Sequence, residues 1–168
     1  MEMILLLVAA ILVSGPAVWM TFAVADNWLH PRLNEEAVAM VMRFDMMAVE
    51  YPDDFKLLAH RRIEDPEKIR RAFQGIRLAE TLAAIAMSVS ALLLAGAAFG
   101  YFDTVTAVTI AILSMAIFVS VWAGFIIGGN FFAYWYCHQW AQSNHFMLLY
   151  WGFFVLLALL LISITLFR

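Results

Sequence analysis

The chain has 168 residues, 65% hydrophobic and 14% charged, with a mean hydropathy of +0.86; a soluble domain so poor in polar residues could not cover its surface, so the bilayer must be its solvent. Its formal net charge of -3 comes from 10 basic and 13 acidic residues mixed in sign, which leaves no basic face for nucleic acid. A single cysteine, Cys137, excludes an internal disulfide and a thiolate cluster for zinc or iron–sulfur binding.

Four stretches, 3–25, 78–100, 104–127 and 146–167, carry almost no charge, whereas nine of the ten basic and ten of the thirteen acidic residues lie within 26–77. Each stretch exceeds the roughly 20 residues that a helix needs to cross a ~30 Å hydrocarbon core. Alternating ten-residue strands are absent, so helices are left to satisfy the backbone in lipid. The expected fold is all-α: a four-helix transmembrane bundle, one domain over 1–168, with a helical polar cap at 26–77 between helices one and two.

The first stretch is not read as a cleaved signal, although Ala23-Val24-Ala25 resembles a cleavage site. It starts Met1-Glu2-Met3 rather than with basic residues, and it stays apolar beyond the roughly 7–15 residues of a signal core. Gly15-Pro16 at its middle predicts a packing kink.

In the polar segment, Asn34 followed by Glu35 and Glu36 reads as an N-cap with acidic first-turn residues, opening a helix through Val49. That helix is too short to span and rich in methionine. Met40, Val41, Phe44 and Met47 form its expected apolar contact, with the bilayer surface, the bundle or a partner. Pro52 starts a short helix toward Arg62. Asp65 and Pro66 read as an N-cap and first-turn proline of a helix of about 35 residues that becomes the second span.

Glu80 lies where that helix turns apolar, three residues after Arg77 and on the same face. An ionisable group at this depth is costly unless it is paired or faces the bundle interior. It reads either as an anchor bonded to Arg77 or to a polar group of another helix, or as part of a proton or ligand site. Small residues follow it, with Ala84, Ser88 and Gly96 on one face and Ala83, Ala91 and Ala95 on another, as close helix packing needs.

Between the third and fourth stretches, residues 128–145 hold no Asp, Glu, Lys or Arg and six Phe, Tyr or Trp. Gly128-Gly129 is expected to end the third helix. The rings read as a membrane-boundary belt, or as a flat pocket for a quinone or another aromatic ring. Trp135, His138 and Trp140 join Arg77 and Glu80 as the candidate polar or ligand site, because helix count puts this turn on the same side as the polar segment. His30, His60, His138 and His145 then share that side. None sits at mid-membrane, so an embedded b-type haem is not expected. Their spacings match no compact metal motif, and no metal, cofactor or catalytic residue is assigned. Nucleophile-elbow, phosphate-loop and zinc-protease motifs are absent from the sequence, so an enzyme is not the favoured reading.

Asn34, Val38, Val41 and Asp45, then Arg61-x-Ile63-x-x-Pro66, Ala72-Phe73 and Glu80-x-Leu82, and finally Gly124-Phe125-x-x-Gly128-Gly129-x-x-Phe132-Ala133-x-Trp135 with Trp140 carry a resemblance. In their order and spacing the chain resembles the predicted small integral membrane proteins of bacteria known as domain of unknown function 2165. The resemblance implies four helices, a polar segment after the first, and a multi-pass protein of the bacterial inner membrane, but no activity. The family's turn looks like Gly-Gly-Glu-Trp-Phe, where this chain has Gly128-Gly129-Asn130-Phe131-Phe132. Basic-residue counting places 26–77 in the cytoplasm, nine against Arg168 alone. The family's basic connection between spans two and three implies the opposite side, and here that connection, Gly100-Tyr101-Phe102-Asp103, has no basic residue.

Two functional readings follow. One is a non-catalytic accessory or structural subunit of a larger bacterial inner-membrane complex, respiratory or photosynthetic, contacting membrane lipids and other membrane subunits but no nucleic acid. The other is a small-molecule, quinone-like or lipid-binding, or proton-handling membrane protein whose site lies near Glu80 and the aromatic turn 128–145.

Overall fold

The computed structural model describes residues 1–167. Seven helices form in chain order: α1 (Glu2–Leu29), α2 (Pro31–Met42), α3 (Asp45–Glu50), α4 (Pro52–Leu58), α5 (Pro66–Ala98), α6 (Thr104–Phe131) and α7 (Gln139–Leu166), with a single 3-10 turn at Ala59–Arg61 after α4. Helices α1, α5, α6 and α7 are long and apolar enough to cross a membrane. They run up and down in turn. The α1–α5 contact is the most extensive, the α5–α6 and α6–α7 contacts are smaller and alike, and a thinner α1–α7 seam closes the ring. The fold is the expected all-α bundle.

Small side chains set how closely the helices approach. Ala9, Ala10 and Ala17 of α1 and Ala83, Ala84 and Ala91 of α5 are buried, and Leu6, Val13, Met20, Met87 and Leu94 interleave between them. Burial of the alanines lets the backbones come together, which in lipid replaces the hydrophobic drive available in water. At mid-bundle the hydroxyls of Ser90 and Ser114 meet at 2.9 Å. Gly152 of α7 is needed at its position, since a Cβ there would come 2.6 Å from Cδ1 of the buried Phe118 on α6. Pro16 lies inside α1, which continues through it to Leu29.

Several local expectations are corrected. Asn34 is not an N-cap, because α2 starts three residues earlier at Pro31, which has no N–H to leave unpaired at a first-turn position. Its amide donates instead to Asn27 at the end of α1. The helix expected to run on through Val49 breaks between Met42 and Asp45, where Phe44 adopts φ 56 and ψ 32. This left-handed conformation costs a non-glycine residue roughly 1–2 kcal/mol. Full burial of a phenylalanine contributes about 1.5–3 kcal/mol, enough to offset it. The Phe44 ring is 2% exposed and packs on Phe55 and Phe132 at 6.1 and 5.9 Å.

Glycines 128 and 129 do not end the third helix: α6 continues to Phe131, and α7 starts at Gln139, so the aromatic connection shrinks to residues 132–138. By contrast, Asp65 caps α5 as expected, its carboxylate accepting from the backbone N–H groups of Glu67 and Lys68 at 2.9 and 3.4 Å. The polar segment folds down onto the bundle. Ala39 and Met42 pack on Ile69 of α5, and Phe44 and Met47 pack on Ala133. Tyr136 donates to Asp54 at 2.8 Å, and Arg61 donates to the Phe131 carbonyl at 3.2 Å. These contacts put cap and aromatic connection on one side, as helix count required. Of the cap residues expected to make an apolar contact, Phe44 and Met47 are buried within the protein, and Met40 and Val41 are half-buried beside a cavity.

Candidate functional site

That cavity occupies the cap-side end of the bundle, with a volume of about 880 Å³, and all four long helices and α2 contribute to its wall. On one side stands a chain of polar side chains from three helices. Asn34 of α2 donates its amide to Oδ1 of Asn27 on α1, and Asn27 Nδ2 donates at 2.6 Å to Oε2 of Glu80 on α5. Asn27 and Glu80 are 4% and 5% exposed, so this carboxylate is held inside protein rather than in lipid. A hydrogen bond to a charged group contributes about 1.5–3 kcal/mol, more than a neutral pair.

The opposite side is built from rings around His145 of α7. Its imidazole lies 4.7 Å from Phe125, 5.6 Å from Trp122 and 5.9 Å from Tyr134, at interplanar angles of 34°, 29° and 22°. Tyr134 can lie flat against α6 because Gly129 has no Cβ, which would otherwise meet the tyrosine ring at 2.6 Å. That close approach is the role of Gly129, in place of the helix stop read from sequence. Toward the membrane, Trp19 of α1 meets Trp122 edge to face at 5.7 Å.

Three polar atoms on this ringed side are buried without a hydrogen-bond partner: Trp122 Nε1, the Tyr134 hydroxyl and His145 Nδ1. Native interiors pair the large majority of such atoms, so three among residues that line one cavity stand out. Burial pushes the Tyr134 hydroxyl above its ordinary value, favouring the neutral phenol that can donate. His138 is buried at the cap edge of the cavity, and desolvation holds its imidazole below the usual histidine range, with the Glu50 charge partly opposing. Burial, reinforced by Glu50, pushes the Cys137 thiol up, away from the reactive thiolate.

Of the five site residues read from sequence, Glu80, His138 and Trp140 line the cavity, and Arg77 and Trp135 do not. Arg77 is not the partner of Glu80. Its guanidinium lies 3.9 Å over the Trp28 ring and 5.8 Å from that of Phe73, while the Trp28 indole is fixed by donating to Thr81 at 3.1 Å. Trp135 is 47% exposed beside Tyr136. Sequence reasoning missed Asn27, Asn34 as a bonding group, Trp122, Tyr134 and His145. Asn27 carried a usable signal, an amide at the end of an apolar run. Trp122 carried none, because an indole within a span is ordinary. Among the described residues, no three of His, Cys, Asp and Glu converge in a way that could hold a metal ion.

Fold and site together define a four-span integral membrane protein with a helical cap over a ring-lined cavity. Residues 5–162 match the family described as predicted small integral membrane protein, domain of unknown function 2165, and the chain belongs to that family. No curated protein and no solved structure matches the chain.

Proposed function

We propose that the protein binds a small lipophilic molecule with a flat ring, of which quinones and ring-bearing lipids are examples, in the cavity beneath its cap at the boundary of the bacterial inner membrane. The ring-lined cavity of about 880 Å³ carries this reading, and three residues of its lining each hold a buried polar atom without a partner. Each unpaired buried polar group costs about 1–3 kcal/mol, and a ligand oxygen accepting from Trp122 Nε1 or the Tyr134 hydroxyl would remove part of that cost. The wall rings favour stacking, and the setting within a helix bundle is one where ligand sites concentrate. The protein contributes positioning and desolvation; no reaction is assigned.

Saturable quenching of tryptophan fluorescence by a short-tailed quinone analogue tests this, because Trp19, Trp122 and Trp140 all line the cavity. Trp122→Phe, which keeps a ring and removes the donor, should weaken binding by about tenfold, the equivalent of 1.4 kcal/mol. Absence of saturable binding across a panel of lipophilic ring compounds would reject the proposal. Stoichiometric recovery of other membrane subunits from mild detergent, together with that absence, would favour an accessory subunit instead.

A further inference from the structure

The charge balance of the cavity goes a step further and rests on the binding reading above. Its wall includes two carboxylates, Asp26 and Glu80, and no lysine or arginine. Glu80 takes part in none of the ion pairs among the described residues, which all lie in the cap and the first turns of α5. One of its oxygens accepts from Asn27, a neutral amide. The nearest cation along the helix, Arg77, is committed to the Trp28 ring. A carboxylate enclosed in a bundle with hydrogen-bond support but no counter-charge is costly, and a positive group brought by a ligand compensates it directly.

The remaining wall suits the same ligand. Trp19, Phe73, Trp122, Phe125, Phe132 and Trp140 present aromatic rings to the cavity, and ring faces attract organic cations through their quadrupole, most strongly when water is excluded. Arg77 on Trp28 shows such a pairing just outside the cavity. We propose that the occupant is an organic cation, a lipophilic amine or quaternary ammonium, with Glu80 as its counter-ion and the rings as the walls that hold its apolar part.

The test uses the full chain in zwitterionic lipid nanodiscs, which avoid attraction of cations to anionic lipid. Binding of an alkyl-dimethyl-benzylammonium is compared with that of its uncharged isostere, in which carbon replaces nitrogen. The cation should bind at least about tenfold more tightly. Glu80→Gln should remove that preference, and Glu80→Asp should keep part of it. Equal affinities on the native protein, a comparison that needs no variant, would overturn the cation assignment and leave the binding reading standing. A folded Glu80→Gln variant that retains the full preference would overturn it equally. Binding of neither compound, nor of the quinone analogue, would remove both.

Discussion

Removing the Asn27 side chain should break a chain of hydrogen bonds that links three helices. Its amide donates to Glu80 Oε2 at 2.6 Å and accepts from Asn34, so Asn27→Ala strips a buried carboxylate of its donor and frees α2 from α1. Neutral polar pairs between membrane helices contribute about 0.6 kcal/mol on average and at most ~1.7. Charge-assisted bonds are roughly twice as strong, so the Asn27–Glu80 coupling should fall between ~1 and ~3 kcal/mol. The Asn34 bond adds little, because Asn34 is exposed and water can replace Asn27 there. The direct measurement is a double-mutant cycle of Asn27→Ala with Glu80→Ala, read as unfolding free energy in mixed micelles. A coupling energy below about 0.5 kcal/mol, within the additivity error of independent sites, would refute the claim that this pair ties α1 to α5.

Two further outcomes follow from the geometry. Gly152→Ala drives a Cβ to 2.6 Å from Phe118 and 3.0 Å from Val119, so it should destabilise the bundle by about 1–3 kcal/mol through overpacking; an unchanged unfolding midpoint would show that α7 shifts freely. His138 has a folded-state pKa below its unfolded value near 6.5, so as pH falls toward and below that value the unfolded chain takes up the proton first and stability declines. The midpoint should therefore be lower in mild acid than at neutral pH, and His138→Asn should lose part of that difference; an identical pH profile in the variant would remove His138 as the cause.

Elements that follow from local chemistry were legible in the sequence. The four spans are set by uninterrupted apolar length against bilayer thickness, and the start of α5 by a carboxylate placed to take two free N–H groups followed by a proline that has none. The common side of cap and aromatic connection required only counting helices. Glu80 stood out because an acid at the edge of a span is costly.

The tertiary structure decided the partners. Glu80 and Arg77 share a helix face, so local spacing favoured that pair, yet Asn27, 53 residues away, supplies the donor and Trp28 takes the guanidinium. Phe44 breaks a continuous helical pattern because burying its ring against Phe132, 88 positions later in the chain, outweighs the cost of a left-handed backbone. Gly129 looks like a helix stop until Tyr134 is seen lying across it. Length, apolar runs and capping residues act over a few neighbouring positions, so the sequence alone determines that this chain crosses a membrane four times beneath a polar cap. The cavity and the buried Glu80 carboxylate in its wall arise from contacts between distant segments, which only packing can choose.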